Sequence, residues 1–360
     1  MPSPRKHAAR PLALALLLLA LPAATCGATC GQSALGIMPG VVNNPANLSL
    51  RRAILSWGQS QICAEVQKRS VPLRLRDDDP ATGRFFPTAC FAQELSNGNL
   101  MIQLGGFGYV WTNLTKRMGF EASAGVEYEQ DFLMDGGTMY VYFRQRSTTA
   151  ASFTTRMIEQ PAALPLGTLP LAQGSALTNA LGTQLMRSEI ARGFTVIRDD
   201  DGSVQLGLGV VEKGKRPPEP YNREASKKLL LANERTEVHQ QQQDFIGPLE
   251  VPGDGEALSL TVNVDGAPAV DLLIVPRGPA DPWLQAYTSQ PAPAPPPTSP
   301  LLDQEVPAGA VFRRTVALPR GFYYLVIDNT SVAGRTQPSM VAQDDRAALV
   351  SYAVQIGDAP

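Results

Sequence analysis

The stretch "FEASAGVEYEQDFLMDGGTMYVYFRQR", residues 120–146, reads as two strands broken by Asp135-Gly136-Gly137, because glycine supplies the left-handed backbone that a tight strand connection needs. Glu121, Glu127, Glu129 and Asp131 stand at odd positions of the first strand and so share one face. That row reads as a solvated face, and a glycosidase-type carboxylate pair is the alternative, since only separation in space defines such a pair. Upstream, "VPLRLR" (71–76), "ACFAQEL" (89–95) and "NLMIQLGGFGYVWT" (99–112) read likewise, punctuated by Asp-Asp-Pro and Ser-Asn-Gly.

Before these strands the period changes. Leu50, Ile54, Ile62 and Val66, between Asn47 and Ser70, recur at four and eight residues and predict a helix. Helix plus antiparallel sheet gives an α+β domain over 47–160, followed by a Pro- and Thr-rich linker, 161–174. A second unit, 175–220, starts with a helical pattern at Leu177, Leu181, Leu185 and Ile190 that Ser175 can cap and Gly193 can end. Strands follow.

Both units run helix, strand, then "RDDD", at Arg76–Asp79 and Arg198–Asp201. A duplication is one explanation, although the flanking matches are not held at a fixed period. A calcium loop would require acidic ligands at its first and twelfth places, where Ile197 and Leu208 stand. Turn tips are therefore expected, and no metal site.

From 221 to 360 the chain is a series of short strand patterns, expected to form an all-β sandwich with a Pro-rich loop at 290–300. The order "FIGPLEVPGDGEALSLTV", "VDLLIV", "VALPRGFYYLVIDN" resembles the pre-peptidase C-terminal type of bacterial β-sandwich, an accessory module of secreted proteins. The resemblance covers about Asp244 to Asp358 and implies a non-catalytic binding or stabilising role.

The compartment follows from the first residues. "MPSPRKHAARP" is basic, and Leu12–Leu21 is an apolar run too short for a stable span, so 1–25 is read as a signal peptide. The four cysteines are Cys26, Cys30, Cys63 and Cys90. "LPAATC" resembles a lipoprotein processing site, which implies lipidation of Cys26 and a flexible tether over 26–46. Thr25 departs from the small residue usual there, and Cys30 and ordinary cleavage after Ala28 remain alternatives. The leader as a whole resembles that of uncharacterised myxobacterial-type lipoproteins. Gly27 after Cys26 fits sorting to the outer membrane or cell surface, with a soluble periplasmic or secreted protein as the alternative. Export also makes a Cys63–Cys90 disulfide the expected pairing.

Chemistry is sparsely encoded. His239 is the one histidine outside the leader and is expected at an exposed strand position; no nucleophile motif accompanies it. "LGGFGYVW" lacks the helix and Lys-Ser/Thr of a phosphate loop. Phe107, Tyr109 and Trp111 alternate on one strand face, as core or as the wall of a ligand groove. A net charge of −2 speaks against a nucleic-acid partner, and no cofactor is expected. Two functions follow: a non-catalytic envelope lipoprotein that binds or scaffolds, with the membrane and envelope proteins or polysaccharide as partners, or a surface hydrolase with dispersed carboxylates. Mass spectrometry of the mature N-terminus tests the anchor. A diacylated Cys26 is the expected start; an unmodified Thr29 start, or a Cys26→Ala variant that stays membrane-bound, removes it.

Overall fold

The computed structural model describes residues 38–359 except 114, 161–178, 180–181, 185, 223–227 and 339–345. The leader, Cys26, Cys30 and the linker at 161–174 lie outside the described residues. Seven strands form one sheet in sequence order: β1 (Val71–Leu73), β2 (Gly83–Glu94), β3 (Leu100–Thr112), β4 (Lys116–Asp135), β5 (Thr138–Ile158), β6 (Phe194–Arg198) and β7 (Val204–Leu208). Every neighbouring pair is antiparallel. The segment at 120–146 is its spine, because β4 and β5 are 20 and 21 residues long and pair from Met118–Ile158 down to Asp135–Thr138.

This meander overturns the expectation of an α+β part with helices packed on a sheet and of a duplicated unit. The strands of the supposed second unit add to the edge of the first, Phe143 pairing with Phe194 and Phe194 with Leu208. The helix α2 (Leu48–Gln67), preceded by the short α1 (Pro39–Val42), does form, yet it buries no residue fully. Ile54 and Leu55 lean on Phe132 and Met134, and Ile62 on Leu100 and Ile102. The helix is thus a strap along a predominantly β structure, tied by the Cys63–Cys90 disulfide and by Arg51, which bonds Asp131 and the Phe132 carbonyl.

The two Asp triplets sit in strand connections, β1 to β2 and β6 to β7. They are not equivalent. Asp77 is an exposed partner of Arg192, whereas Asp199 is buried and bonded by Thr138 and Arg216. Asp201 accepts from the Ser203 amide, the side-chain-to-backbone bond that favours Asp in turns. Among the described residues no group of three or more acids, histidines or cysteines could hold a metal, and no helix is long and apolar enough to cross a membrane.

The remaining strands make two four-stranded antiparallel sheets packed face to face. One has the order β13 (Phe312–Ala317), β10 (Glu256–Asp265), β15 (Ala348–Asp358), β8 (Leu229–Val238); the other β12 (Leu302–Pro307), β11 (Ala269–Pro276), β14 (Gly321–Asn329), β9 (Gln242–Val251). Their shared core includes Leu258, Leu260, Val262, Leu272, Ile274 and Leu325, all essentially unexposed, and each such side chain stabilises by roughly 1.5–3 kcal/mol. The second sheet is buried on its outer face too. Phe245, Leu273, Val275, Tyr324 and Val326 meet α3 (Arg277–Ser289) and, from the seven-stranded sheet, Phe86 and Tyr109. The sequence reading missed α3 because Pro276, Pro279 and Pro282 mask it, although Ala280, Trp283, Leu284 and Tyr287 carry a helical period and are buried. Trp283 donates to the Ala294 carbonyl at 2.8 Å and so fixes the start of the Pro-rich loop.

Candidate functional site at the junction of the sheets

Where the seven-stranded sheet meets the sandwich, the two are joined first through backbone. Ala81 forms a parallel bridge with Thr236, donating to the Arg235 carbonyl and accepting from the Glu237 amide, each at 2.8 Å. This seats the residues leading into β2 against the edge strand β8 and pairs one amide and one carbonyl of that edge.

Beside the bridge, Arg84 enters the sandwich and is 1% exposed. Its Nε and Nη2 donate to the two oxygens of Asp244 at 2.7 and 3.0 Å, and Nη2 also reaches Glu234 at 3.1 Å and the Tyr352 hydroxyl. Tyr352 donates onward to Glu234 at 2.6 Å. Tyr109 donates to Asp244 at 2.7 Å and accepts from the Phe245 amide at 2.8 Å. Burial opposes the charge of Arg84, but Asp244, Tyr352 and Glu234 outweigh it and hold its pKa well above the ordinary value. Burial, reinforced by Asp244, pushes the Tyr109 phenol well up; burial does the same to Tyr352, against the pull of Arg84. Every group in this network serves as counterion or donor to another, which is the arrangement a buried charge requires.

A second layer lies next to it. Arg117 is fully buried, its guanidinium 3.9 Å from the centre of the Tyr287 ring, and Nη2 donates to the carbonyls of Gln290 and Pro291 at 2.9 and 2.7 Å. Burial raises the Tyr287 pKa, opposed by Arg117. His239 corrects the expectation of an exposed position: it is 5% exposed, stacks on Trp111 with ring centres 3.3 Å apart, and its Nε2 lies 2.5 Å from Glu237. Arg117, His239, Trp111, Tyr109, Asp244 and Tyr287 line a cavity of about 10 Å³, room for a single water. Close contact continues at Gly119, where a Cβ would stand 1.7 Å from the Thr288 carbonyl oxygen. Only glycine lets the end of α3 approach β4 so closely.

The aromatic row of β3 is therefore divided by this junction. Tyr109 is buried in it, Trp111 is half-buried on His239, and Phe107 is half-buried against Phe86, 5.6 Å between ring centres. The acids of β4 are held apart. Glu121 pairs with Arg156, Glu129 with Arg146 and Asp131 with Arg51. Glu127 accepts from Asn99, Asn97 and Ser147, which hold its pKa below the ordinary value. Cys63 and Cys90 are joined with their Cα atoms 5.3 Å apart, Cys90 lying further along the strand that carries Arg84. Arg84 and Asp244 escaped the sequence reading, for each is one charged residue in an unremarkable strand pattern and their pairing spans 160 residues.

No family model matches the chain, and no curated protein matches it. Among solved structures, an exo-β-1,3-galactanase from Phanerochaete chrysosporium with galactose aligns over 77% of this chain and 69% of that one, at 9% identity and a TM-score of 0.19. A likeness that weak carries no argument about this chain.

Replacing Arg84 by Ala strands Asp244 in the interior and leaves the partly exposed Glu234 without its cation, and the expected cost is about 3–5 kcal/mol. In urea unfolding, the Arg84→Ala, Asp244→Ala double variant is expected to lose clearly less than the two single losses added together. Additive losses would dissolve the network.

Proposed function

We propose that the chain is a non-catalytic component of the cell envelope, anchored by lipid at Cys26, that binds or scaffolds through its β surfaces. The observation that carries this reading is how its reactive groups are employed. His239 is stacked and bonded beside a cavity of one water, and Glu121, Glu127, Glu129 and Asp131 of β4 are each bound to partners of their own. A general acid or base needs a free lone pair or proton within reach of a substrate. Each of these groups is instead tied to a separate partner within the fold.

The surface offered to a partner is an exposed face of β2 to β5 in the seven-stranded sheet. Across it the register aligns Ala89, Gly105, Ser123 and Ser152, flanked by Phe91 and Gln103. Phe91 is 54% exposed, and Ser123 and Ser152 bond each other at 2.7 Å. An exposed face with an aromatic ring, an amide and hydroxyls offers the stacking and hydrogen-bonding groups that envelope polysaccharide requires, and polysaccharide is the partner this reading favours. The junction holds that face at a fixed angle to the sandwich.

The test uses the purified mature protein with isolated envelope polysaccharide. Retention in a pull-down without release of reducing ends, weakened at least fivefold in Phe91→Ala, is the expected result. Release of reducing ends that disappears in Glu121→Gln or Glu127→Gln would replace this reading by the hydrolase.

A further inference from the structure

The outer face of the β12-β11-β14-β9 sheet carries, at one end, a row of polar residues in place of the apolar ones beside it. Gln243 on β9 pairs with Asp328 on β14, and Asp328 with Asp271 on β11. Both aspartates are 0% exposed. They stand directly across an antiparallel ladder, where opposite side chains lie roughly 5 Å apart. Two carboxylates that close and that dry repel strongly.

Each is bound from the segment that follows β14. Asp328 accepts from the Thr330 amide at 3.1 Å and the Thr330 hydroxyl at 2.9 Å, and from Gln243 Nε2 at 2.7 Å. Asp271 Oδ2 accepts from the amides of Arg335 and Thr336 at 2.9 and 2.8 Å and from the Thr336 hydroxyl at 2.6 Å. Gly334 makes this cup possible, with φ at +69° and space for no side chain, since a Cβ would meet Asp271 at 2.2 Å. The two acids thus fasten residues 330–336 over the end of the sheet.

The accounting leaves one thing over. Among the described residues, only two buried side-chain oxygens lack a donor, Oδ1 of Asp271 and Oε1 of Gln243, and they belong to the two neighbours of Asp328 in the row. A buried acceptor without a donor costs about 1–3 kcal/mol, so the row is short of a proton at its centre. We propose that Asp328 and Asp271 share one proton, carried by Asp328 and donated to Oδ1 of Asp271, and that this proton is the catch that keeps the 330–336 segment closed. When it leaves for solvent, two like charges remain side by side, and lifting the segment is the way water reaches them.

The surroundings agree. Burial, with the charge of Asp271 adding to it, pushes the Asp328 carboxyl up to about 7 against the pull of Gln243 and Thr330. From α3 the neighbouring group is Tyr287, whose hydroxyl accepts from the Gln243 amide; from β12 it is the exposed Glu305, across from Asp271. The side chain of Arg335 reaches toward Asp303, 3.9 Å away. None of these groups offers Asp271 Oδ1 a donor. The folded value lies above the roughly 4 of an unfolded aspartate. The stability conferred is therefore complete below about pH 4 and lost as pH rises through about 7. The segment also forms one wall of an open groove of about 370 Å³ facing the Pro-rich loop, lined by Pro295, Thr298, Pro300, Asp303, Val332 and Gly334. Opening the catch changes that groove.

Two measurements on the full chain test this. Carboxyl-carbon NMR with labelled aspartate is expected to show one resonance titrating near 7 that vanishes in Asp328→Asn and falls by at least one pH unit in Asp271→Asn. Hydrogen exchange of residues 329–336, corrected for intrinsic rate, is expected to lose protection at least tenfold between pH 6 and 8.5 in the natural chain, and to change less than twofold in Asp328→Asn. An aspartate spectrum with every resonance titrating near 4 overturns the proposal, as does the same loss of protection in Asp328→Asn. Should that variant not fold, the natural chain and Asp271→Asn decide through the titration alone.

Discussion

A guanidinium removed from water must find its counterions inside the protein, and Arg84 finds them on strands remote in the sequence. Asp244 lies on β9, Glu234 on β8 and Tyr352 on β15, while Arg84 itself belongs to the other sheet. Losing Asp244 leaves several kcal/mol of desolvation uncompensated, so the sheet and the sandwich depend on each other's position. The neighbouring contacts inherit that alignment: the Ala81 bridge, the Phe86 and Tyr109 rings on Phe245, and α3 resting on Gly119.

The second sheet of the sandwich buries negative charge twice, with two different remedies. Asp244, on the side facing the other sheet, is neutralised by Arg84 and steadied by Tyr109. Asp328, on the outer side, has no cation among its bonding partners and is met by Thr330, Gln243 and the facing Asp271. In the first case the counter-charge is a cation; in the second it is the shared proton. The ion pair at the junction and the carboxyl pair on the adjoining rung of the same sheet, Asp244 opposite Ile327 and Gln243 opposite Asp328, thus differ in which neighbour the fold supplies.

Strands were the legible part of the sequence, because alternation and glycine-bearing turns are local signals. The hairpin at 120–146 is readable letter by letter. Layering was not, for the apolar spacing of α2 is the same whether a helix covers a core or straps a sheet, and only the absence of a fully buried residue separates the two. Prolines hid α3, whose buried face is nevertheless periodic at Ala280, Trp283, Leu284 and Tyr287. The aromatic row of β3 was visible, while its partner His239 looked like an exposed residue in a polar run. Asp271 and Asp328 had a signal that could have been used: each is a lone acid inside an apolar stretch, "VDLLIV" and "YLVIDN", where burial on both faces of a strand is the rule. Nothing local marks Arg84, because what distinguishes it is a partner 160 residues away.

The claim that the sheet and sandwich form one unit held by Arg84 is tested most directly by native-state hydrogen exchange in increasing denaturant. Amides of β3 and of β14 are expected to converge on the same opening free energy and to do so before global unfolding, with Arg84→Ala separating the two sets. Amides of β14 that stay protected in the natural chain at denaturant concentrations where those of β3 already exchange freely would contradict it.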